Sequence, residues 1–361
     1  MSLFQFSIVN LILHRMKKVV ALLLFLATFA ASRAQVAGMS TLSILDMPFS
    51  ARAAGLGFDF LSVYSDDLTL SLDNPSLVSG RIDNQLAVGY VNVFSGANFG
   101  SVAYSHNFKH LGAFTFGLQF GSYGSFEGYD EYEQPTGSFS AADYVMTIGW
   151  GRAIDDNVSI GANFKPILSQ YESYTALAFG IDLAATYISD SKAFAATLMG
   201  RNIGAQLSTF SGHVEKLPFE LSLAGSYKLQ DAPFNLMFAL NELQTWNLVY
   251  DDPLNPSSVT DPFTGQTVGK SDFEKVFDNL ARHVSLGVEV VIKQSLFLRV
   301  GYSYRQMVEM KAADRFNTSG FSFGIGFNFK GFRICYSRNN YHLSQAPNFI
   351  SVTTGLDRFF K

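Results

Sequence analysis

Hydrophobic and polar positions alternate with a period of two over most of this chain. Phe321, Phe323, Ile325, Phe327 and Phe329 fall on one face of an extended strand, and Ser322, Gly324, Gly326 and Asn328 on the other. Leu296 to Arg305 repeats the pattern, with Leu296, Leu298, Val300, Tyr302 and Tyr304 against Phe297, Arg299, Gly301, Ser303 and Arg305. Side chains alternate across a strand, so each segment has one greasy face and one small or polar face. In a soluble sandwich the greasy face meets another sheet and the other face meets water. Here the second face is rich in Gly and Ser and poor in charge. That fits a barrel wall, with lipid outside and a lumen of small and polar residues inside.

The pattern recurs along the chain. Val88, Val102, Phe116 and Met146 sit in four predicted strands, the third running on towards Glu127. Five more are predicted around Phe164, Ile181, Leu198, Leu223 and Leu236, and five after a long excursion, around Val288, Leu298, Ile325, Ile334 and Val352. The prediction is an all-β, transmembrane antiparallel barrel of about fourteen strands, an even number as bacterial barrels prefer. Asp155-Asp156-Asn157, Ser189-Asp190-Ser191 and Lys330-Gly331 read as tight turns. Their alternation with longer connections matches periplasmic turns against extracellular loops. The excursion over 244–282 carries the turn signals Asp251-Asp252-Pro253, Asn255-Pro256 and Asp261-Pro262. Its second half predicts an amphipathic helix from Ser271 to Leu280, with Phe273, Val276, Phe277 and Leu280 on one side.

Turn length fixes register, because a one-residue slip would send every lipid-facing side chain into the lumen. A three-residue connection, Lys293-Gln294-Ser295, pairs Val290 with Leu298 and sets Glu289 opposite Arg299 on the inner face. Lys330-Gly331 pairs Phe329 with Phe332 and sets Gly326 opposite Cys335, leaving the thiol without a partner. Other predicted lumenal positions are Thr115, Gln119, Asp182, Glu220 and Lys228.

The segment over 35–83 lacks strand periodicity and is expected to fold as a hatch in the barrel mouth. Ser50 to Gly55 reads as a short helix with a Ser cap and a Gly stop. Ser65-Asp66-Asp67 opens a second helical turn, which Asn74-Pro75 ends. Before the hatch, 1–34 reads as a secretory signal: Lys17-Lys18, an apolar run from Val19 to Ala31, and small residues before a cut after Ala34. Met16 is a better start than Met1. The barrel is assigned to 84–361.

Composition agrees with a membrane barrel. Charged residues are 16% of the 361, against roughly 25% in soluble domains. Phe alone numbers 35, and Gly 30. After the N-terminal segment no apolar run approaches the roughly 18 residues of a spanning helix. A net charge of −4 argues against nucleic acid as a partner. A single cysteine, Cys335, excludes an internal disulfide.

Candidate chemistry is sparse. Gly320-Phe321-Ser322-Phe323-Gly324 matches a nucleophile-elbow string but lies inside a predicted strand, without the turn and helix an elbow needs. The histidines, His14, His106, His110, His213, His283 and His342, are scattered and form no metal-type group. Asp66-Asp67 and Asp251-Asp252 could bind calcium, but such pairs more often cap helices or line solvated loops. No catalytic constellation or cofactor motif emerges.

Pro48 to Gly57, then Ser65-Asp66-Asp67, then Asn74-Pro75-Ser76, resemble the hatch signature of FadL-type outer-membrane barrels and their PorV/PorQ relatives. The motif positions are Ser50, Arg52, Gly55, Gly57, Asp66, Asp67, Asn74 and Pro75. Ser76 replaces the usual Ala, and Gly57-Phe58 a common Gly-Gly pair. Leu45-Asp46-Met47-Pro48, Lys165 to Ser169, Arg201 to Gly204, Glu215 to Pro218 and Glu242 to Trp246 are similar to the PorQ family of the type IX secretion system. That resemblance implies a non-enzymatic outer-membrane scaffold of Bacteroidetes-type bacteria. It would work with PorU, PorV and PorZ to process secreted proteins and attach them to anionic lipopolysaccharide, holding peripheral PorZ at the membrane. The implied alternative is a FadL-like channel for hydrophobic small molecules. The predicted lumenal residues make no continuous greasy path, which favours the scaffold. A docking surface is expected where the third and fourth strands overrun the membrane, at Glu127, Tyr129, Asp130, Glu131, Tyr132 and Glu133.

Overall fold

A computed structural model describes residues 42–93, 96–210, 212, 214–249, 258–260, 267–269, 271–310, 318–340 and 346–359. The signal over 1–34, His14, His213, His342, Phe360 and the turn signals and acidic pair within 251–262 lie outside the described residues.

Fourteen strands close into one antiparallel barrel. They are β1 Gln85–Asn92, β2 Asn98–Phe108, β3 Gly112–Tyr129, β4 Pro135–Ala153, β5 Val158–Tyr171, β6 Tyr174–Ile188 and β7 Phe194–Ser208. Then follow β8 Glu220–Lys228, β9 Phe234–Leu240, β10 Val284–Ile292, β11 Leu296–Ser303, β12 Phe321–Phe329, β13 Phe332–Asn339 and β14 Asn348–Gly355. Each strand pairs with its neighbours in sequence, and β1 pairs with β14 from Gln85↔Gly355 to Asn92↔Asn348, so no edge is left open. Two three-residue strands, Ser258–Thr260 and Thr267–Gly269, pair separately. Among the described residues no helix is long and apolar enough to cross a membrane.

The outward faces carry the aromatic and branched residues that suit a pleated surface. Val88, Phe116, Leu118, Phe323 and Val300 are all exposed on the isolated chain, where a bilayer would cover them. The expected registers hold: Glu289↔Arg299, Val290↔Leu298, Gly326↔Cys335 and Phe329↔Phe332. The turns explain them. Lys330 and Gly331 have φ of 46° and 79°, the left-handed pair of a two-residue hairpin, and Lys293 and Gln294 have φ of 50° and 55°.

Two expectations need correction. Tyr304 and Arg305 do not continue β11; they open a short helix, Tyr304–Glu309. Cys335 is not without a partner, because the Arg299 guanidinium reaches across, its Nη1 3.6 Å from the Cys335 Sγ. Lys228 keeps the inner alternation opposite Asn235 and is exposed at the end of β8.

Residues 42–83 fill the barrel. They form α1 Ala51–Ala54, α2 Leu68–Asp73 and three single turns at Ser43–Asp46, Pro75–Leu77 and Gly80–Ile82. The two helices later in the chain are α3 Asp272–Arg282 and α4 Tyr304–Glu309. The small residues of the lumenal faces let hatch backbone lie against wall backbone. A Cβ on Gly301 would stand 1.8 Å from the carbonyl oxygen of Leu56, and one on Gly161 2.2 Å from that of Pro75. Gly55 is likewise selected by proximity to Gly324, since its φ of −68° is open to any residue.

The wall is uneven. Strands β3 to β7 run 14–19 residues, whereas β9 has 7 and β11 has 8. On the tall side even the far end is turned tightly, with β5 and β6 joined by Glu172 and Ser173 alone. Height there comes from strands, not loops.

Gly301→Val should displace the hatch. Overpacking of this kind costs about 1–3 kcal/mol, roughly a five- to hundredfold faster amide exchange around Leu56. Gly355→Ala, with nothing within 4 Å of the added carbon, should change nothing. Unaltered exchange in Gly301→Val would show that the hatch does not rest on β11.

Candidate functional site

Two polar clusters tie the hatch to neighbouring arcs of the wall, one on β9 to β11 and one on β5 to β8. The first is built on Glu289, fully buried on β10. Arg52 of α1 reaches it with two parallel bonds, Nε to Oε1 at 3.0 Å and Nη2 to Oε2 at 2.8 Å. Arg299 on β11 donates to Oε1 at 2.8 Å, and Asn235 on β9 to Oε2 at 2.9 Å. Arg52 also donates to Ser65 Oγ at 2.9 Å. A carboxylate accepting four donors from two neighbouring strands and the hatch is a strong tie, because paired arginines match its planar geometry.

Local structure presents Arg52 for this role. Ser50 caps α1, its hydroxyl accepting from Ala53 N. The ring of small residues at Ala51, Ala53, Ala54, Gly55 and Gly57 lets the helix approach β12 and β13. Asp67 caps α2 by accepting from Thr69 N at 3.1 Å. Asp66 does not cap; it binds Arg333 of β13 at 2.7 Å, and Arg333 also faces Asp67 at 3.6 Å. That pair of acids is therefore matched by a protein cation. Asn74 ends α2 and caps the next turn by accepting from Ser76 N, while Pro75 takes the first position of that turn. Among the described residues no group of three His, Cys, Asp or Glu could hold a metal. Ser322 is buried in mid-strand against Gly57, with no turn and helix after it.

The second cluster gathers five stretches far apart in sequence. Lys165 of β5 pairs with Asp182 of β6 at 2.7 Å and donates to Asn202 Oδ1 on β7. Arg201 bonds Glu220 at 3.2 Å, stands 3.7 Å from Asp59 of the hatch, and donates to the Leu45 carbonyl at 3.1 Å. Asn202 also donates to the Pro218 carbonyl, and Gln244 to that of Phe219. The segments 45–48, 165–169, 201–204, 215–218 and 242–246, separate in sequence, thus adjoin one another in space.

Two faults in the barrel ladder fall here. Between β4 and β5 the pairing skips Met146 and Thr147, opposite Pro166 and Lys165. Proline has no N–H to give, and it is rare inside a sheet for that reason. Between β6 and β7, Arg201 and Asn202 together face Asp182, a bulge in which Asn202 takes φ 56°. The bulge turns two successive polar side chains inward. A cavity of about 20 Å³ lies beside both faults, between Leu45, Phe49 and Leu72 of the hatch and Lys165, Asp182 and Arg201 of the wall. It holds about one water.

Asp73 faces this cavity from α2. It is buried, and its Oδ2 has no hydrogen-bond partner. Burial pushes its carboxyl up to about 7, against the opposing pull of Arg201 and the N–H groups of Ser50 and Phe49.

Of the positions singled out by sequence, Arg52 and the Asp67, Asn74 and Pro75 caps lie in the hatch seat. The tip residues Glu127, Tyr129, Asp130, Glu131, Tyr132 and Glu133 lie elsewhere, exposed on the β3–β4 hairpin. There Asp130 folds the turn by accepting from Tyr132 N and Gln134 N, and Tyr129 donates to Glu127. Alternation alone does not join Arg52 to Glu289, and it gives Arg201 no lumenal place, although Arg52 and Arg201 both stand among the residues that carry the family resemblance. The available signal was the run Gly200-Arg201-Asn202, where two large polar residues break the alternation.

These features define a closed transmembrane β-barrel filled by its own N-terminal segment. No protein-family model matches the chain. No curated protein matches it either. Among solved structures it is similar to a TodX deltaS2S3 mutant monoaromatic hydrocarbon channel, with TM-score 0.52 and 14% identity over 85% of this chain and 99% of that one. The Pseudomonas putida toluene transporter TodX gives TM-score 0.48, 14% identity, and 86% and 98% coverage. A Pseudomonas aeruginosa FadL homologue gives 0.43, 12%, and 86% and 98%. The first likeness establishes that the chain shares the fold of a channel barrel.

Two outcomes test the seat. Glu289→Gln leaves two buried guanidinium groups without a counter-charge, a loss of about 3–5 kcal/mol. Protease should then cut within 42–83 while the barrel stays intact; resistance equal to the parent would show that the tie does not hold the hatch. Asp73 has a folded-state pKa above its unfolded one, so its contribution is full below the ordinary carboxylate range and lost as pH rises through about 7. Hatch amides should exchange faster at pH 8 than at pH 5 beyond the intrinsic change, and Asp73→Asn should reduce that difference, the remainder belonging to Asp59 and Asp46, whose carboxyls burial raises to about 7 and about 6. An unchanged difference would remove Asp73 from the seat's pH response.

Proposed function

We propose that this protein is an outer-membrane channel for small hydrophobic molecules, held closed by its hatch. The observation that carries the reading is the meeting of two wall faults, at Pro166 and at Arg201-Asn202, beside the cavity between hatch and wall. A barrel closed by continuous ladders admits nothing sideways. Here the ladder is interrupted beside a space that Leu45, Phe49 and Leu72 line on the hatch side and Gln119, Lys165, Asp182 and Arg201 on the wall side. A shift of this part of the hatch would widen that space towards the lipid between β4 and β5. Lys165 and Arg201 would face any polar end of the passing molecule. The shared fold with a hydrocarbon channel supports the same reading. Uptake of a monoaromatic hydrocarbon across vesicles with a lipopolysaccharide outer leaflet tests it. Inserted protein should accelerate entry several-fold, and Pro166→Val, which restores the ladder N–H, should slow it. Entry no faster than in protein-free vesicles would end this reading.

A second reading is favoured by the filled lumen and the β3–β4 hairpin, which stands beyond the rest of the wall with an acidic, tyrosine-bearing tip. On this reading the chain is a scaffold of type IX secretion, similar to PorQ, and the tip holds a peripheral PorZ-like partner alongside PorU and PorV. Deleting residues 127–136 should release that partner from native membranes while the barrel stays folded. Retention of the partner in the deletion would count against the scaffold and leave the channel untouched.

A further inference from the structure

Helix α3 is amphipathic in the reverse sense. Its polar side is buried. Asp278, Asn279 and Arg282, with His283 just beyond, are all nearly inaccessible. Asn279 donates to the Trp246 carbonyl at 2.6 Å and accepts from Leu248 N at 2.8 Å. Asp278 accepts from the Tyr304 hydroxyl at 2.8 Å, and Arg282 donates to Asp278 and the Leu248 carbonyl. His283 is held by the carbonyls of Asn241 and Trp246. Its apolar side is bare: Phe273 is 79% exposed, Val276 55%, Phe277 62% and Leu280 44%. Trp246, its ring tilted towards that of His283, is 73% exposed. The spacing of i, i+3, i+4 and i+7 puts those four helical residues in one stripe. A helix capped at Ser271 by a full capping box, and anchored by its polar face, is held in this orientation, not frayed into it.

The stripe lies where the wall is lowest. A transmembrane strand needs about 9–11 residues, and β9 and β11 have 7 and 8. At about 3.3 Å per residue and a tilt near 45°, β9 covers about 16 Å of a lipid-facing belt that is about 25 Å tall. A helix of about 10 Å diameter on its rim closes that gap. Helix α3 runs straight into β10, whose outward Leu286 and Val288 belong to the lipid-facing surface. Leu280 lies four residues before Val284, the first residue of β10 on the same face as Leu286 and Val288, so the stripe adjoins that surface along the chain.

We propose that α3 lies against the outer leaflet of the bilayer and completes the lipid-facing belt over the short strands, its Phe273–Val276–Phe277–Leu280 stripe in contact with lipid. Trp246 then takes the interfacial position that tryptophan favours. The occupant of the bare face is lipid, and the inference rests on the barrel being transmembrane.

The test uses single cysteines in a Cys335→Ser background, labelled with an environment-sensitive fluorophore in proteoliposomes. Phe277→Cys reports the stripe, Leu286→Cys the wall, and Tyr132→Cys the water-exposed hairpin tip. Lipid carrying a doxyl group near the headgroup should quench the label at 277 to within about twofold of that at 286, and iodide should quench only the label at 132. Val276→Cys repeats the measurement should the label at 277 impair folding. Quenching at 277 by iodide and not by lipid would place the helix in water and overturn the proposal. Insensitivity to both would mean that protein covers the stripe, and would overturn it equally. Failure of lipid to quench the label at 286 would reject the transmembrane barrel itself, a distinguishable result.

Discussion

A closed sheet removes its edges but encloses a lumen, and the rest of this molecule follows from how that lumen is filled. Fourteen strands make a cylinder too wide for their own inward side chains to close. The chain solves this by making the inward faces small and packing its own N-terminal segment against them. Small faces are what allow backbone to meet backbone at Gly161 and Gly301. The hatch buries its apolar side chains against those faces, Ile44 and Phe49 with Phe99, Val145 and Phe349, and Phe60 and Leu70 with Met199 and Met237, and polar groups add directed ties to that packing.

Those groups carry a cost of their own. Removing Arg52, Glu289 and Arg299 from water is unfavourable, and the attraction between them offsets that loss only with good geometry. Glu289 has such geometry, four donors on two oxygens. The cluster on β5 to β8 is less complete. Asp73 keeps an oxygen without a partner, and the wall beside it is bulged and lacks a proline N–H. The hatch is therefore tied more firmly at Glu289 than beside Asp73.

The barrel was legible because the period-two signal is local and strong: Phe321 to Phe329 needs no neighbour to be read as a strand. Register was legible too, since short turns such as Lys330-Gly331 leave one choice. The end of β11 was not, because Tyr304 and Arg305 keep the alternation of a strand while their side chains bond to Asp278, Glu242 and Glu309 in a helix. Partners separated by hundreds of residues left no trace in the pattern. Glu289 opposite Arg299 could be inferred from one hairpin, but Arg52 lies 237 positions away from Glu289. For α3 the pattern found the stripe and could not say which side faced the protein; burial of Asp278, Asn279 and Arg282 reverses the usual assumption.

The close approach of hatch to wall also orders the making of the protein. Strand β1 follows the hatch directly, and its partner β14 closes the barrel from the other end of the sheet, so the seam joins residues as distant as Gln85 and Gly355. No clearance remains at Gly301 or Gly161 through which a folded segment could later slide. The N-terminal segment must therefore be inside while the sheet is still an open, curling ribbon. Closing the seam joins the most distant parts of the chain, so it carries the largest loop-closure cost of any pairing in the barrel. The hatch acts as the mandrel on which the cylinder is wound, and a chain that has lost it loses the form that tells the ribbon how tightly to curl.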